Sequence, residues 1–262
     1  MSLFGKLSAW RESRRLEQLE VSEALWSEAL GDWGVYRRYA PQSQEKLREM
    51  ALRLLLRKHL VAAGDLHLSD AMRLRIAGMA VVPVLELGLD WYDGWQTLII
   101  YDGPFVAEHS WEDEYGIVHE ETSERSGEAW YRGPVILSWE DVLASGLDGF
   151  NVVIHELSHT LDMRREGANG APPLHAGMDP AAWKRDMQGA WDDLGRRAES
   201  GASLPVDEYA LEDPAEFFAV LSETFFEAPR PLAAAWPAVY QHLVAFYRQD
   251  PLMPAERGVS AP

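Results

Sequence analysis

Hydrophobic positions recur at helical spacing in the first third of the chain and at strand spacing in the middle. In "SQEKLREMALRLLLRKHLVAAG", Leu47, Met50, Ala51, Leu54 and Leu55 share one helical face, and the pattern stops at Gly64. "LSDAMRLRIAGMAV" predicts a further helix with Ser69 as its cap, so residues 14–80 read as helical. From about 81 to 139 the texture changes. "WQTLIIY", "GIVHE", "EAWYRG" and "GPVILSW" are short runs set between Gly, Pro and Asp, which predict a small antiparallel or mixed sheet. After 148 the helical spacing returns. "DPAAWKRDMQGAWDDL" puts Asp179 and Pro180 at cap and first-turn positions, and its Trp183, Met187 and Trp191 form a stripe that belongs to a core. "RPLAAAWPAVYQHLVAFYRQDP" closes the chain with a break at Pro237. Helices, then strands, then helices predict an α+β fold, not a repeating βαβ one. With no repeat and no clear linker, one unit over 1–262 is expected, with a helical part at 1–80 and the chemistry in 81–262.

Composition narrows the function. A net charge of −18 in 262 residues leaves nothing to neutralise a row of phosphates, which argues against nucleic acid and against anionic membrane surfaces. The chain has no cysteine, so thiol catalysis, disulfides and cysteine zinc sites are excluded. The N-terminal "MSLFGKLSAWRESRRLEQLE" lacks a continuous apolar run, and "MAVVPVLELGL" is interrupted by Pro83 and Glu86, so a soluble, cytoplasmic protein is expected.

The chemistry lies in "GFNVVIHELSHTLDM". His155, Glu156 and His159 form an H-E-x-x-H pattern. On a helix His155, His159 and Asp162 fall within about 60° of one another, while Phe150, Val153, Ile154, Leu157 and Leu161 gather opposite. Two imidazoles one turn apart can share a metal, and Glu156, about a quarter-turn round, suits a general base on metal-activated water. Zn²⁺ is the metal such a set implies.

A catalytic zinc site needs a third ligand. A metzincin continuation is excluded because positions 162 and 165 are Asp and Arg. Asp162 would crowd one side of a tetrahedron and is assigned to local support. His175, in "PPLHAGMD", reads as a solvent-exposed loop histidine. "DEYALEDPAEFFAVLSETFFEAP" offers Glu216 and Glu223, seven residues apart on nearly the same helical face. The phenylalanines beside Glu216 favour its burial, and buried charge needs a partner. However, Asp213 to Glu216 also has capping-box spacing, and spacing alone leaves both glutamates open.

"VVIHELSHTLD" and "DEYALEDPAEFFAVLSETFF" resemble the Mlc titration factor A family of bacterial zinc metallopeptidases, whose catalytic core is in turn similar to that of anthrax lethal factor. The likeness extends over most of the chain, including "YRGPVILSWEDV". It implies a zincin-like, gluzincin-type peptidase, with His155, His159 and Glu216 as ligands of one zinc and Glu156 as general base. It also implies that Tyr209 stabilises the oxyanion, a task a phenol near zinc can perform. A regulatory role follows from the same likeness: binding a sugar-responsive transcriptional repressor and so affecting glucose phosphotransferase uptake.

Two expectations concern the substrate. "GPVILSW" is either an edge strand that pairs with an extended peptide or a core strand. The acidic "EHSWEDEYGIVHEETSERSGE" reads as a solvated hairpin near the cleft. Its His109 and His119 lack the carboxylate spacing of a second metal site.

Overall fold

Capping chemistry sets where the helices begin. The computed structural model describes residues 12, 14–16, 19–112, 118–125, 127–129, 133–146, 148–164 and 167–253. Helix α1 (Glu23–Leu30) starts at Ser22, whose side chain accepts from the Leu25 N–H. A short α2 (Gly34–Arg38) leads into α3 (Pro41–Arg57). Helix α4 (Asp70–Val81) is capped by Ser69, as its sequence predicts. The apolar faces of these helices bury Trp26, Leu30, Leu47, Leu54 and Ile76.

The helix predicted to run to Gly64 ends at Arg57. Lys58 turns extended, and His59–Ala62 become strand β1. Helical spacing runs out after Leu55, and Leu60 enters the sheet beside Leu98. Tertiary pairing overrides local propensity here. Lys58 itself is buried and donates its ammonium to the carbonyls of Tyr92 and Trp95.

Strands β2 (Thr97–Tyr101), β3 (Phe105–Glu112), β4 (Val118–Arg125), β5 (Gly127–Ala129) and β6 (Val135–Ser138) follow. The main sheet has the order β1-β2-β6-β5, with β1, β2 and β6 parallel and β5 antiparallel. It is therefore mixed. Leu98, Ile100, Val135 and Leu137 are fully buried along its centre. Strand β6, the "GPVILSW" segment, lies between β2 and β5 and is a core strand; the short β5 forms the edge instead. Strands β3 and β4 make the separate antiparallel hairpin of the acidic stretch, whose residues 113–117 lie outside the described residues.

From β6 the chain passes through α5 (Trp139–Ala144) into α6 (Val152–Asp162), which carries the H-E-x-x-H motif. Helix α7 (Pro180–Ser200) begins at the predicted Asp179 cap, with Trp183 and Met187 buried. Helix α8 (Pro214–Glu227) packs along α6, and α9 (Pro229–Ala235) and α10 (Pro237–Tyr247) follow, separated at Trp236 as Pro237 requires. The Tyr247 hydroxyl bolts α10 to both site helices: it donates to Ser222 at 2.7 Å and also meets Ser158. The result is an α+β architecture. Among the described residues no helix is long and apolar enough to cross a membrane.

Candidate metal centre

Helix α6 has the two-faced character its sequence predicts. Val153, Ile154, Leu157 and Leu161 are fully buried behind it, while His155, Glu156 and His159 turn to a cleft of about 770 Å³. Phe150 departs from the expected apolar back. It precedes the helix, whose N-cap is Asn151, so helical spacing does not apply to it; it stays 37% exposed and lines the cleft.

Helix α8 brings up the carboxylates. Asp213 caps it, its Oδ1 accepting from the N–H groups of Ala215 at 2.7 Å and Glu216 at 3.0 Å. Asp213 thus supplies the cap, and the Glu216 carboxylate reaches the histidines. Its Oε2 lies 2.9 Å from His155 Nε2 and its Oε1 3.4 Å from His159 Nε2, while the two Nε2 atoms are 3.2 Å apart. Glu223 takes a different place: its Oε1 lies 2.7 Å from His155 Nδ1, on the far side of that ring.

These separations fit a metal. A tetrahedron with metal–ligand bonds of about 2.0–2.1 Å has edges of roughly 3.3 Å. The two Nε2 atoms, and the Glu216 oxygen nearest each of them, fall close to that spacing, and His155, His159 and Glu216 form a His-His-Glu set able to hold an ion. The donor chemistry agrees. Glu223 on Nδ1 turns Nε2 of His155 to the centre, where a cation would replace the proton that the neighbouring carboxylates otherwise hold on the ring. The two Nε2 atoms, 3.2 Å apart, need a proton or a cation between them.

The electrostatics follow from burial and proximity. Burial alone would lower the His155 imidazole, but the carboxylates of Glu223 and Glu216 outweigh it and hold it well above the usual histidine range. Burial would raise Glu216, yet its bonds to His155 and His159 hold it far below the ordinary carboxylate range. Burial pushes Glu156 up to about 7, against the pull of both imidazoles. Glu156 Oε2 is buried and meets no hydrogen-bond partner among the described residues.

Tyr209 borders the same cleft, 49% exposed, with its ring 6.1 Å from that of His155. It sits in a 3₁₀ turn, Glu208–Leu211, whose cap Asp207 accepts from the Tyr209 N–H at 2.8 Å. His175 is neither a ligand nor a free surface group. Its Nε2 lies 2.8 Å from the Phe246 carbonyl oxygen, and its ring packs against Trp91 and Phe246.

Asp162 gives the local support expected of it. Its Oδ2 accepts from the N–H groups of Asn169 and Gly170, both at 2.7 Å. Gly170 has φ +74°, and a Cβ there would lie 2.3 Å from the Pro214 carbonyl oxygen. Only glycine allows this approach. Asp162 therefore ties the end of α6 to the start of α8, two residues before Glu216. Sequence reading overlooks a second tie at the other end, through Asn151 and Glu227. Asn before an apolar helical run signals a cap, and nothing local signals its other bonds.

A helix bearing two histidines and a glutamate, with a second carboxylate from another helix closing the set, is an arrangement of metallopeptidases. The chain belongs to the glucose-regulated metallo-peptidase M90 family, whose model matches residues 7–248. It is also similar to Mlc titration factor A of Yersinia pestis (strain Pestoides F), with 43% identity over 240 residues, 89% of this chain and 87% of that protein. Mlc titration factor A of Yersinia pseudotuberculosis serotype O:1b (strain IP 31758) matches to the same extent.

Proposed function

We propose that this chain is a zinc-dependent peptidase with a zincin-like, gluzincin-type centre, acting in the cytoplasm as one unit on peptide or protein substrates. His155, His159 and Glu216 hold one zinc. The observation that carries this reading is the convergence of three side chains: Glu216 Oε2 lies 2.9 Å from His155 Nε2, Glu216 Oε1 lies 3.4 Å from His159 Nε2, and the two Nε2 atoms are 3.2 Å apart. Zinc, when bound there, supplies a Lewis acid that lowers the pKa of water and polarises a carbonyl. Glu156 takes the proton from the attacking water and passes it to the leaving amine, a role its position on the cleft face of α6 suits. Tyr209, which lines the same cleft, donates its hydroxyl to the developing oxyanion. Both an aminopeptidase and an endopeptidase are compatible with this centre.

The test is Glu156→Gln, which leaves all three ligands in place. Zinc content should match the wild type while peptide hydrolysis falls by about 10²–10⁴-fold. A variant that still cleaves at the wild-type rate would overturn the mechanism. The name Mlc titration factor A and the family resemblance favour a second reading: stoichiometric binding of a transcriptional repressor that links the protein to glucose uptake, with no need for hydrolysis. Under that reading Glu156→Gln binds the repressor normally and no peptide is cleaved even by the wild type.

A further inference from the structure

Asn151 is fully buried at the head of α6 and makes more bonds than a cap requires. Its Oδ1 accepts from the Ile154 N–H at 3.1 Å, and its carbonyl oxygen accepts from the His155 N–H at 2.9 Å. Those two bonds start the helix. Two others go to α8. The Asn151 main-chain N–H donates to Glu223 Oε2 at 2.5 Å, and its side-chain Nδ2 donates to Glu227 Oε1 at 2.6 Å. Glu223 and Glu227 stand one helical turn apart, so a single residue grips both. Glu227 Oε1 also accepts from the Trp33 indole N–H at 2.9 Å, across 194 residues of chain.

We infer that Asn151 is a positioning residue of the metal centre: by clamping Glu223 and Glu227 it fixes the carboxylate that orients His155, and through Trp33 it joins the N-terminal helices to the site. This rests on the zinc reading above. Glu223 has one oxygen on His155 Nδ1 and the other on the Asn151 N–H, so its carboxylate plane is held at both ends. The residue type supports the same conclusion. Ser, Thr or Asp would cap the helix as well. An amide accepts from the helix with one atom and donates to Glu227 with another, where Ser or Thr has a single shorter oxygen for both; an aspartate would set a new carboxylate against Glu227 and, beside it, Glu223.

The experiment exchanges the two ends of that bond. Zinc affinity of the metal-free full chain is measured by competition with a chromophoric chelator for the wild type, Asn151→Asp, Glu227→Gln and the double variant. Metal-free melting is followed in parallel. Asn151→Asp keeps the cap, folds, and binds zinc about tenfold more weakly, at the lower end of the range for groups that support ligands. Adding Glu227→Gln lets residue 227 donate to the new carboxylate, at the expense of the Trp33 bond to the same atom, and recovers part of the affinity. Wild-type affinity in Asn151→Asp, or a double variant no better than Asn151→Asp, would reduce Asn151 to a cap. A wild-type chain that takes up no zinc would instead overturn the proposed function itself.

Discussion

The two histidines of the motif sit one turn apart on the same helix and meet opposite surroundings. Behind His155 lies a continuous hydrogen-bonded chain through Glu223, Asn151, Glu227 and Trp33. Behind His159, the buried Nδ1 has no partner among the described residues, and neither does Asp162 Oδ1. Asp162 instead spends its other oxygen on the backbone of Asn169 and Gly170. One imidazole is oriented by polar bonds; the other is held by the packing of α6 and by a loop that fixes where α8 begins.

The largest effect should separate the two glutamates. Glu216→Gln removes a donor from the metal and should weaken zinc binding by more than 100-fold, whereas Glu223→Gln should cost roughly 10–100-fold. Chelator competition on the purified variants checks both, and a reversed order would exchange their roles. Next in size is a pH effect on the His155 side. Burial pushes Glu227 up to about 7, against its bonds from Asn151 and Trp33. A carboxyl with a raised folded pKa binds its proton more tightly when folded. Stability from this group is therefore fully present below pH 4.5, is lost as pH rises through about 7 and is flat above, a change on the order of 3 kcal/mol. Denaturant titrations of metal-free wild type and Glu227→Gln should show the wild type losing this increment and the variant not; parallel curves would contradict it.

On the His159 side the effects should fall on stability. Gly170→Ala forces a Cβ to within 2.3 Å of the Pro214 carbonyl oxygen at φ +74° and should cost roughly 2 kcal/mol or more in denaturant unfolding. Asp162→Asn should be smaller, about 1 kcal/mol in unfolding, with zinc affinity changed only a few-fold. A loss of zinc affinity equal to that of Glu223→Gln would erase the contrast between the two histidines.

The same contrast marks what a linear reading reaches. The α6 helix, its buried back and its ligand-bearing front follow from spacing within a dozen residues, and so do the caps at Ser69 and Asp179. Spacing left Glu216 and Glu223 open and the family resemblance singled out Glu216; which carboxylate meets Nε2 of His155 and which meets Nδ1 depends on how α8 lies on α6, and no local pattern carries that. Strand β1 was hidden because Leu60 and Ala62 join the sheet through β2, some forty residues away. Asn151 reads as a cap from its neighbours, while its bonds to Glu223 and Glu227 cross 72 and 76 residues. Trp33 reads as one more core aromatic.

The central claim is that His155, His159 and Glu216 hold a zinc that hydrolysis requires. Its most direct test is to strip the metal with a chelator, dialyse, and titrate zinc back while following cleavage of a peptide substrate. The account predicts that hydrolysis disappears with the metal and returns in full at one zinc per chain. Cleavage that survives complete removal of zinc would contradict it.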